Sequence, residues 1–341
     1  MATERDLITA IARRAAAFAP AASPSGLRQG IGDDCAIWQP TPATDSLVTT
    51  DTLVEGVHFD RRWHPPRLLG RKAVAVNMSD IAAMGGTPRY ALLSLGLGEA
   101  ENPAWLEMML DGLAEAVAAY GAVLIGGDTV KSPERLLLTV TIIGESPASR
   151  ACLRSGGQAG DSIWVGGPLG LAAGGLELCR RDLAADPQWQ EAVQAHLDPP
   201  AQVELGRRLA AAGVVHAMMD LSDGLATDLA HICAASGVGA EVEAELLPVP
   251  DLLHRAAAVC QADPLNWALC GGEDYRLLFT ADPARDGAIA ELGRDLADTT
   301  LTRIGRLTAP PPGGPGVLLR TADGQSREIG YGGYDHFRTA P

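Results

Sequence analysis

The sequence predicts an α/β protein, with an α+β sheet domain at the N-terminus and an α/β domain after it. Three observations carry this expectation. Segments with helical spacing alternate with short β-branched runs along all 341 residues. Apolar residues make up 47% and charged ones 20%, the balance of a folded soluble chain. Aromatic residues are only 4%, so Ala, Val, Leu and Ile must build the core.

Taken in order, residues 4–18 have helical spacing through Leu7, Ile8, Ile11, Ala12 and Ala15, and a loop follows that ends in Gly30-Ile31-Gly32-Asp33-Asp34. Leu47 to Asp51 is a strand by its β-branched content. A loop through His58, Trp63 and Pro65-Pro66 leads to a helix from Arg67 to Met84, with Leu68, Leu69, Ala73, Val76 and Ile81 as its apolar face. Ala91–Leu97 is a strand, Trp105–Tyr120 a helix, and Ala122–Ile125 and Leu136–Ile143 are strands. Ser146-Pro147-Ala148-Ser149 breaks the periodicity and sets the expected domains at 1–148 and 149–341. Beyond it, a strand at 161–165 runs into the glycine-rich turn 166–170. Helices are expected at 171–183, 201–212 and 223–235, and strands at 238–243, 275–280 and 315–320. The proline-rich segment 309–316 reads as a surface loop, and no repeat of 20–50 residues is present.

The formal charge of −15 argues against a nucleic-acid surface, which needs a basic stripe. Six scattered cysteines without a CxxC pair argue against a disulfide framework or a metal knuckle, and fit a reducing compartment. No run approaches the ~20 apolar residues of a membrane span. The N-terminal segment carries Glu4, Asp6, Arg13 and Arg14 among its apolar positions, unlike a signal peptide. The expected location is cytoplasmic.

One pattern recurs. Apolar stretches run into Gly, Ser or Thr and end on an acid: at Asp51, Asp80, Asp128, Asp220 with Asp223, and Glu273 with Asp274, with the Gly32-Asp33-Asp34 turn as a sixth case. Any one acid could simply cap a helix or close a turn. Six are more than caps require, and if they converge their repulsion calls for cations. Hard oxygen ligands select Mg²⁺, Ca²⁺ or Mn²⁺ over zinc. Several such metals on carboxylates usually serve phosphate chemistry, which would also explain how an acidic chain with only two lysines, Lys72 and Lys131, holds a nucleotide. The GxxxxGK(S/T) phosphate loop, the GxSxG elbow and HExxH are all absent, and the glycines of 166–175 do not fit GxGxxG.

Read together, eight blocks resemble the thiamine-monophosphate kinase family, in the superfamily of aminoimidazole ribonucleotide synthetase and selenophosphate synthetase. They are GIGDDCA at 30–36, TTDTLVEGVHF at 49–59, AVNMSDIAAMG at 75–85, IGGDT at 125–129, LRSG at 153–156, DLSDGL at 220–225, GGEDY at 271–275 and YDHF at 334–337. The resemblance implies an aminoimidazole ribonucleotide synthetase-like architecture and a homodimer formed through the N-terminal sheet. It implies an active-site cleft between the two domains. It also implies a reaction in which the γ-phosphoryl group of ATP passes directly to thiamine monophosphate. Carried over position by position, it makes Asp34, Thr49, Thr50, Asp51, Asp80, Asp128, Asp220 and Asp223 the shell of several Mg²⁺ ions. Gly127, Asp128, Arg154, Ser222 and Tyr120 become nucleotide contacts, and His58, Glu273 and Tyr334 face the thiamine phosphate. Asp33, which can cap its turn, and Asp274, which can pair with an arginine, stay outside this set. No side-chain base is expected, because the attacking phosphate oxygen is already mostly deprotonated at neutral pH.

The selenophosphate branch is disfavoured, since its family carries a reactive Cys or Sec in a glycine-rich N-terminal segment and the first 30 residues here hold no cysteine. A sensor that keeps the site without turnover is the competing class, and thiamine-monophosphate-dependent ADP release discriminates it. A purely structural acidic protein would not need acids at strand ends beside Gly and Thr.

Overall fold

A computed structural model describes residues 4–20, 26–98, 102–294, 296, 299–311 and 314–334. They divide into two compact units, the first within 1–81 and 86–151, the second within 82–85 and 152–341.

The first unit begins with α1 (Glu4–Ala17) and a short antiparallel pair, β1 (Leu27–Gln29) and β2 (Ile37–Trp38). Its main sheet is built from β3 (Thr44–Val54), β4 (Thr87–Leu97), β5 (Val123–Lys131) and β6 (Leu137–Pro147), in the order β3-β6-β4-β5. Only β4 and β5 run parallel. Two helices accompany it, α2 (Pro66–Ala83) and α3 (Pro103–Ala119). From Lys72 to Ser79 every α2 residue is buried, so the helix is a core element instead of a one-sided amphipathic one. α3 begins two residues before the expected Trp105, because the Asn102 side chain accepts the Ala104 amide at 3.0 Å and Pro103 is preorganised for the first helical position.

Two strands outrun their expected ends. β5 continues through Gly126-Gly127 to Lys131, paired with β4 as far as Leu97. A side chain at Gly127 would collide with the Leu93 carbonyl, so these glycines permit the pairing they were expected to end. β6 runs through Ser146 to Pro147, where the proline closes the ladder opposite Thr44.

The second unit is a seven-stranded sheet ordered β13-β12-β9-β11-β7-β10-β8, antiparallel except for β12 on β9. Its strands are β7 (Ser162–Val165), β8 (Ala217–Asp220), β9 (Gly239–Glu243), β10 (Leu277–Ala281), β11 (Thr302–Thr308), β12 (Val317–Arg320) and β13 (Ser326–Glu328). Its helices are α4 (Leu171–Arg180), α5 (Gln190–Leu197), α6 (Val203–Ala212), α7 (Leu225–Ser236), α8 (Asp251–Cys260), α9 (Pro264–Cys270) and α10 (Asp286–Arg294). The strands β7, β8 and β10 are short and buried on both faces. Leu278 joins a cluster with Leu229, Ile232 and Val242, while its neighbour Phe279 joins Trp164, Leu205 and Met218 on the other side. Among the described residues no helix is long and apolar enough to cross a membrane.

Candidate active site

In the first unit the long β3–β6 ladder fixes which side chains share a face. Thr49, Asp51 and Leu53 alternate with Thr50 and Thr52. The Thr49 hydroxyl donates to Oδ2 of Asp80 on α2. Asp51 keeps a solvent-exposed edge, yet the surrounding protein, and then the charge of Asp80, push its pKa up to about 6. Thr49, Asp51 and Asp80 are therefore one cluster. Thr50 is turned to the opposite face, where its Oγ1 lies 2.9 Å from Thr141 Oγ1 and donates to the Val140 carbonyl at 3.2 Å.

Asp128 stands one row along. The register runs Asp51, Val140, Leu93, Gly127 across the sheet, and Asp128 falls in the next row with Ser94, Thr139 and Thr52. Gly127 takes φ +153°, which breaks the regular alternation just before the acid, and the Thr129 amide donates to Asp128 Oδ1 at 2.9 Å. Asp34 is exposed in the turn between β1 and β2, and its amide donates to Asp33 Oδ1 at 2.9 Å. Among the described residues no hydrogen bond or ion pair ties Asp34 to the Asp51–Asp80 cluster. Tyr120 caps the C-terminus of α3, before β5 begins and eight residues ahead of Asp128.

His58 lies in a turn closed by its own amide to the Val54 carbonyl at 2.9 Å. Its ring Nδ1 accepts the Val54 amide at 3.0 Å, so the neutral ring carries its proton on Nε2. Two residues the sequence reading passed over brace this turn. Glu55 accepts the Leu136 amide at 3.0 Å and an Arg61 nitrogen at 3.1 Å, and the Arg61 guanidinium lies 4.6 Å from the Trp105 ring centre.

In the second unit four separated motifs meet at the end of β8. The Leu221 amide donates to the Arg276 carbonyl at 2.9 Å, and the Glu273 and Tyr275 amides donate to the Ser222 and Leu221 carbonyls, each at 2.8 Å. The Tyr334 amide donates to the Asp223 carbonyl at 3.0 Å. Asp220, Ser222, Asp223, Glu273 and Tyr334 are thus held together by backbone bonds. Glu273 and Tyr275 pay for this in conformation, with φ +69° and +48°. Arg154 is exposed; its loop is tied down by the Met218 amide on the Leu153 carbonyl at 2.8 Å. Of the YDHF block only Tyr334 lies within the described residues.

Asp228 was not anticipated. Buried on α7, its Oδ2 accepts the amides of Asp223 at 3.1 Å and Gly224 at 3.0 Å. Burial, then Asp223 and Asp220, push its pKa to about 8. The available signal was an acid four residues after Gly224, a spacing that returns one helical turn to the start of α7.

Asp274 caps α4: it accepts the Gly170 amide at 2.6 Å and the Ala172 amide at 3.3 Å, with the positive charge of Arg276 nearby. Burial outweighs these favourable contacts and raises its pKa from 3.8 to about 6. The folded state therefore binds this proton more tightly than the unfolded chain. The group's contribution to stability is full below about pH 4 and is lost as pH rises to about 6. Asp274→Asn removes the titration, so wild type should lose melting temperature relative to the variant across that window. A difference that stays flat from pH 4 to 7 in thermal scans would refute the assignment.

The acids offer oxygen donors only, a set suited to Mg²⁺ or Mn²⁺ and unsuited to zinc. Among the described residues, no group of three or more His, Cys, Asp or Glu side chains is disposed to hold a metal alone. The clusters are open sets, of the kind that phosphate oxygens and water complete.

Two family models match the chain, the AIR synthase related protein N-terminal domain over residues 32–146 and the C-terminal domain over 158–315. The thiamine-monophosphate kinase of Salmonella typhimurium is 41% identical over 316 residues, covering 91% of this chain and 92% of the relative. The crystal structure of thiamine-monophosphate kinase from Stenotrophomonas maltophilia K279a is similar with a TM-score of 0.82 at 37% identity, covering 93% of this chain and 97% of that one. A structure described as AaThiL complexed with AMPPCP and TMP aligns with a TM-score of 0.73 at 33% identity, covering 95% and 96%. On this likeness across both domains, the chain belongs to the thiamine-monophosphate kinase family of AIR synthase-related proteins.

Proposed function

We propose that this protein transfers the γ-phosphoryl group of ATP in line to thiamine monophosphate, giving ADP and thiamine diphosphate. The observation that carries the reading is the meeting of Asp220, Ser222 and Asp223 with Glu273 and Tyr334 at the end of β8. That junction sets acids for phosphate-bound cations beside a carboxylate and an aromatic ring suited to a cationic heterocycle.

The residues divide the work. Asp34, Thr49, Thr50, Asp51, Asp80, Asp128, Asp220 and Asp223 would hold several Mg²⁺ ions. For Thr50, whose hydroxyl is engaged with β6, the backbone carbonyl is the remaining donor. When bound, the metal neutralises charge on the phosphate oxygens. Gly127, with Asp128, Arg154, Ser222 and Tyr120, binds the nucleotide; the Leu93 carbonyl occupies the place of a side chain at Gly127, so its contact would come from the backbone. His58 offers its Nε2 proton to the thiamine phosphate, Glu273 its negative charge to the cationic ring, and Tyr334, half exposed, a face on which that ring stacks. No side chain acts as nucleophile or base. Catalysis rests on positioning and charge neutralisation. The protein works as a cytoplasmic homodimer in thiamine diphosphate biosynthesis, with residues 1–148 binding ATP and metal and mediating dimerisation, and 149–341 completing the site.

The test is a coupled ADP-release assay with Mg-ATP, with and without thiamine monophosphate, followed by identification of the product. ADP and thiamine diphosphate formed in step support the reading. ADP release independent of thiamine monophosphate indicates another acceptor, and no release indicates a binding protein.

A further inference from the structure

We infer that Ser236, the last residue of α7, is a positioning residue for the loop that carries Arg154 to the nucleotide. This rests on the assignment of Arg154 to ATP.

The Ser236 side chain bridges two backbone groups of that loop. Its Oγ accepts the Gly157 amide at 3.0 Å and donates to the Arg154 carbonyl at 3.3 Å. One hydroxyl has the proton and the lone pairs for both bonds at once. The two groups stand three residues apart, the pair that a β-turn joins directly, so the hydroxyl ties residues 154–157 together from outside the loop. The glycines of the loop suit this approach. A side chain at Gly157 would stand 3.2 Å from Ser236 Oγ and 2.7 Å from Leu307 Cδ1. One at Gly156, which takes φ +112°, would collide with the His216 carbonyl. The start of the loop is fixed separately, by the Met218 amide on the Leu153 carbonyl at 2.8 Å.

Ser236 is itself well anchored. The chain leaves α7 at Gly237, φ +69°, and the amides of Gly237 and Val238 both return to the Cys233 carbonyl. The same helix begins at the Asp223–Gly224 turn, which Asp228 holds. One helix therefore follows the Ser222–Asp223 segment at its start and braces the Arg154 loop at its end. Arg154 is exposed, and its long side chain turns about several bonds, so the place of its backbone is what the fold can set in advance. Loosening residues 154–157 spreads the starting positions of the guanidinium, and the loss falls on the ligand that Arg154 contacts. The Glu273 and Tyr334 amides are held by the Ser222 and Asp223 carbonyls instead, so the thiamine-phosphate side keeps its geometry when Ser236 changes.

The experiment measures KM for ATP and for thiamine monophosphate in full-length Ser236→Ala and Ser236→Thr, and joins Ser236→Ala with Arg154→Ala in a double-mutant cycle. Ser236 is only partly buried and ends a helix, a position where alanine is well tolerated. Ser236→Ala is expected to raise KM for ATP about fivefold, with kcat and KM for thiamine monophosphate within about twofold of wild type. Ser236→Thr keeps the hydroxyl and should recover most of that loss. Adding Ser236→Ala to Arg154→Ala should raise KM for ATP little further, because the loop then has no guanidinium to place. Equal rises in both KM values, an unchanged KM for ATP, a threonine variant as impaired as alanine, or additive effects in the cycle would each overturn the inference. An Arg154→Ala variant with wild-type KM for ATP overturns the assignment of Arg154 itself; a raised KM there beside an unshifted Ser236→Ala overturns only Ser236.

Discussion

Asp51→Ala is expected to lower turnover at least about 100-fold at saturating Mg²⁺ while leaving the fold intact, because it removes a proposed metal ligand. The two halves of this expectation have separate grounds. The backbone at Asp51 is held by the ladder that pairs β3 with β6 from Thr44 to Val54, and no bond in that ladder depends on the carboxylate. The side chain itself is under electrostatic pressure: crowding and Asp80 push its pKa up to about 6. Near neutral pH the two carboxylates repel each other in the absence of a cation, so the alanine variant should melt no lower than wild type in EDTA. Mg²⁺ should raise the melting temperature of wild type and raise that of the variant less. Both readouts come from one preparation, by thermal scans in EDTA and in Mg²⁺ and by initial rates. A near-normal rate at saturating Mg²⁺ would remove Asp51 from the metal shell.

Some of this arrangement was legible in the residues and some was not, for identifiable reasons. Periodicity located the strands and helices whose faces differ in polarity, such as α1 and β3. It overlooked α5, α8, α9, α10, β1, β2, β8, β11 and β13. Of these, β8 is short and buried along its whole length, so no alternation marks it. Glycines misled in one direction: Gly126-Gly127 reads as a strand end and instead lies within β5, where a side chain at Gly127 would collide with the Leu93 carbonyl of β4. For the site, short-range patterns carried far. Asp51 and Asp80 come together where the Thr49 hydroxyl on β3 donates to Asp80 on α2, and acids at the ends of apolar runs pointed to that pair. Chain composition could not separate Thr49 from its neighbour Thr50, which the pleat turns to opposite faces. The four-residue spacing from Gly224 pointed weakly at Asp228, since a buried polar residue on a helix carries no local signature of the backbone it will meet.

Asp228→Ala is expected to destabilise the protein by about 2–4 kcal/mol and to lower turnover severely, because it strips two amides, that of Gly224 buried and that of Asp223 partly so, of their acceptor. The amides of Asp223 and Gly224 both point at Asp228 Oδ2, and Gly224 stands at φ +109°, where a side chain would meet the Cys270 and Gly271 backbone within 3.0 Å. The released Gly224 amide is buried and is left without its acceptor. One effect opposes this loss. Asp228 lies close to Asp220 and Asp223, so deleting it could relieve repulsion. With its pKa near 8, however, Asp228 is mostly protonated at pH 7, leaving little charge to relieve, and the lost bonds win. The turn they hold carries Asp223 and Ser222 and receives the Glu273 and Tyr334 amides, so its collapse reaches nucleotide and substrate residues together. Asp228→Asn is the informative companion. It keeps an oxygen for both amides and should retain most of the stability and activity. Urea unfolding and initial rates on the two variants separate the causes. If alanine is as stable as wild type, the turn does not depend on Asp228. If asparagine is as damaged as alanine, the acid contributes through its charge or proton, and the two amide bonds are not the reason it is there.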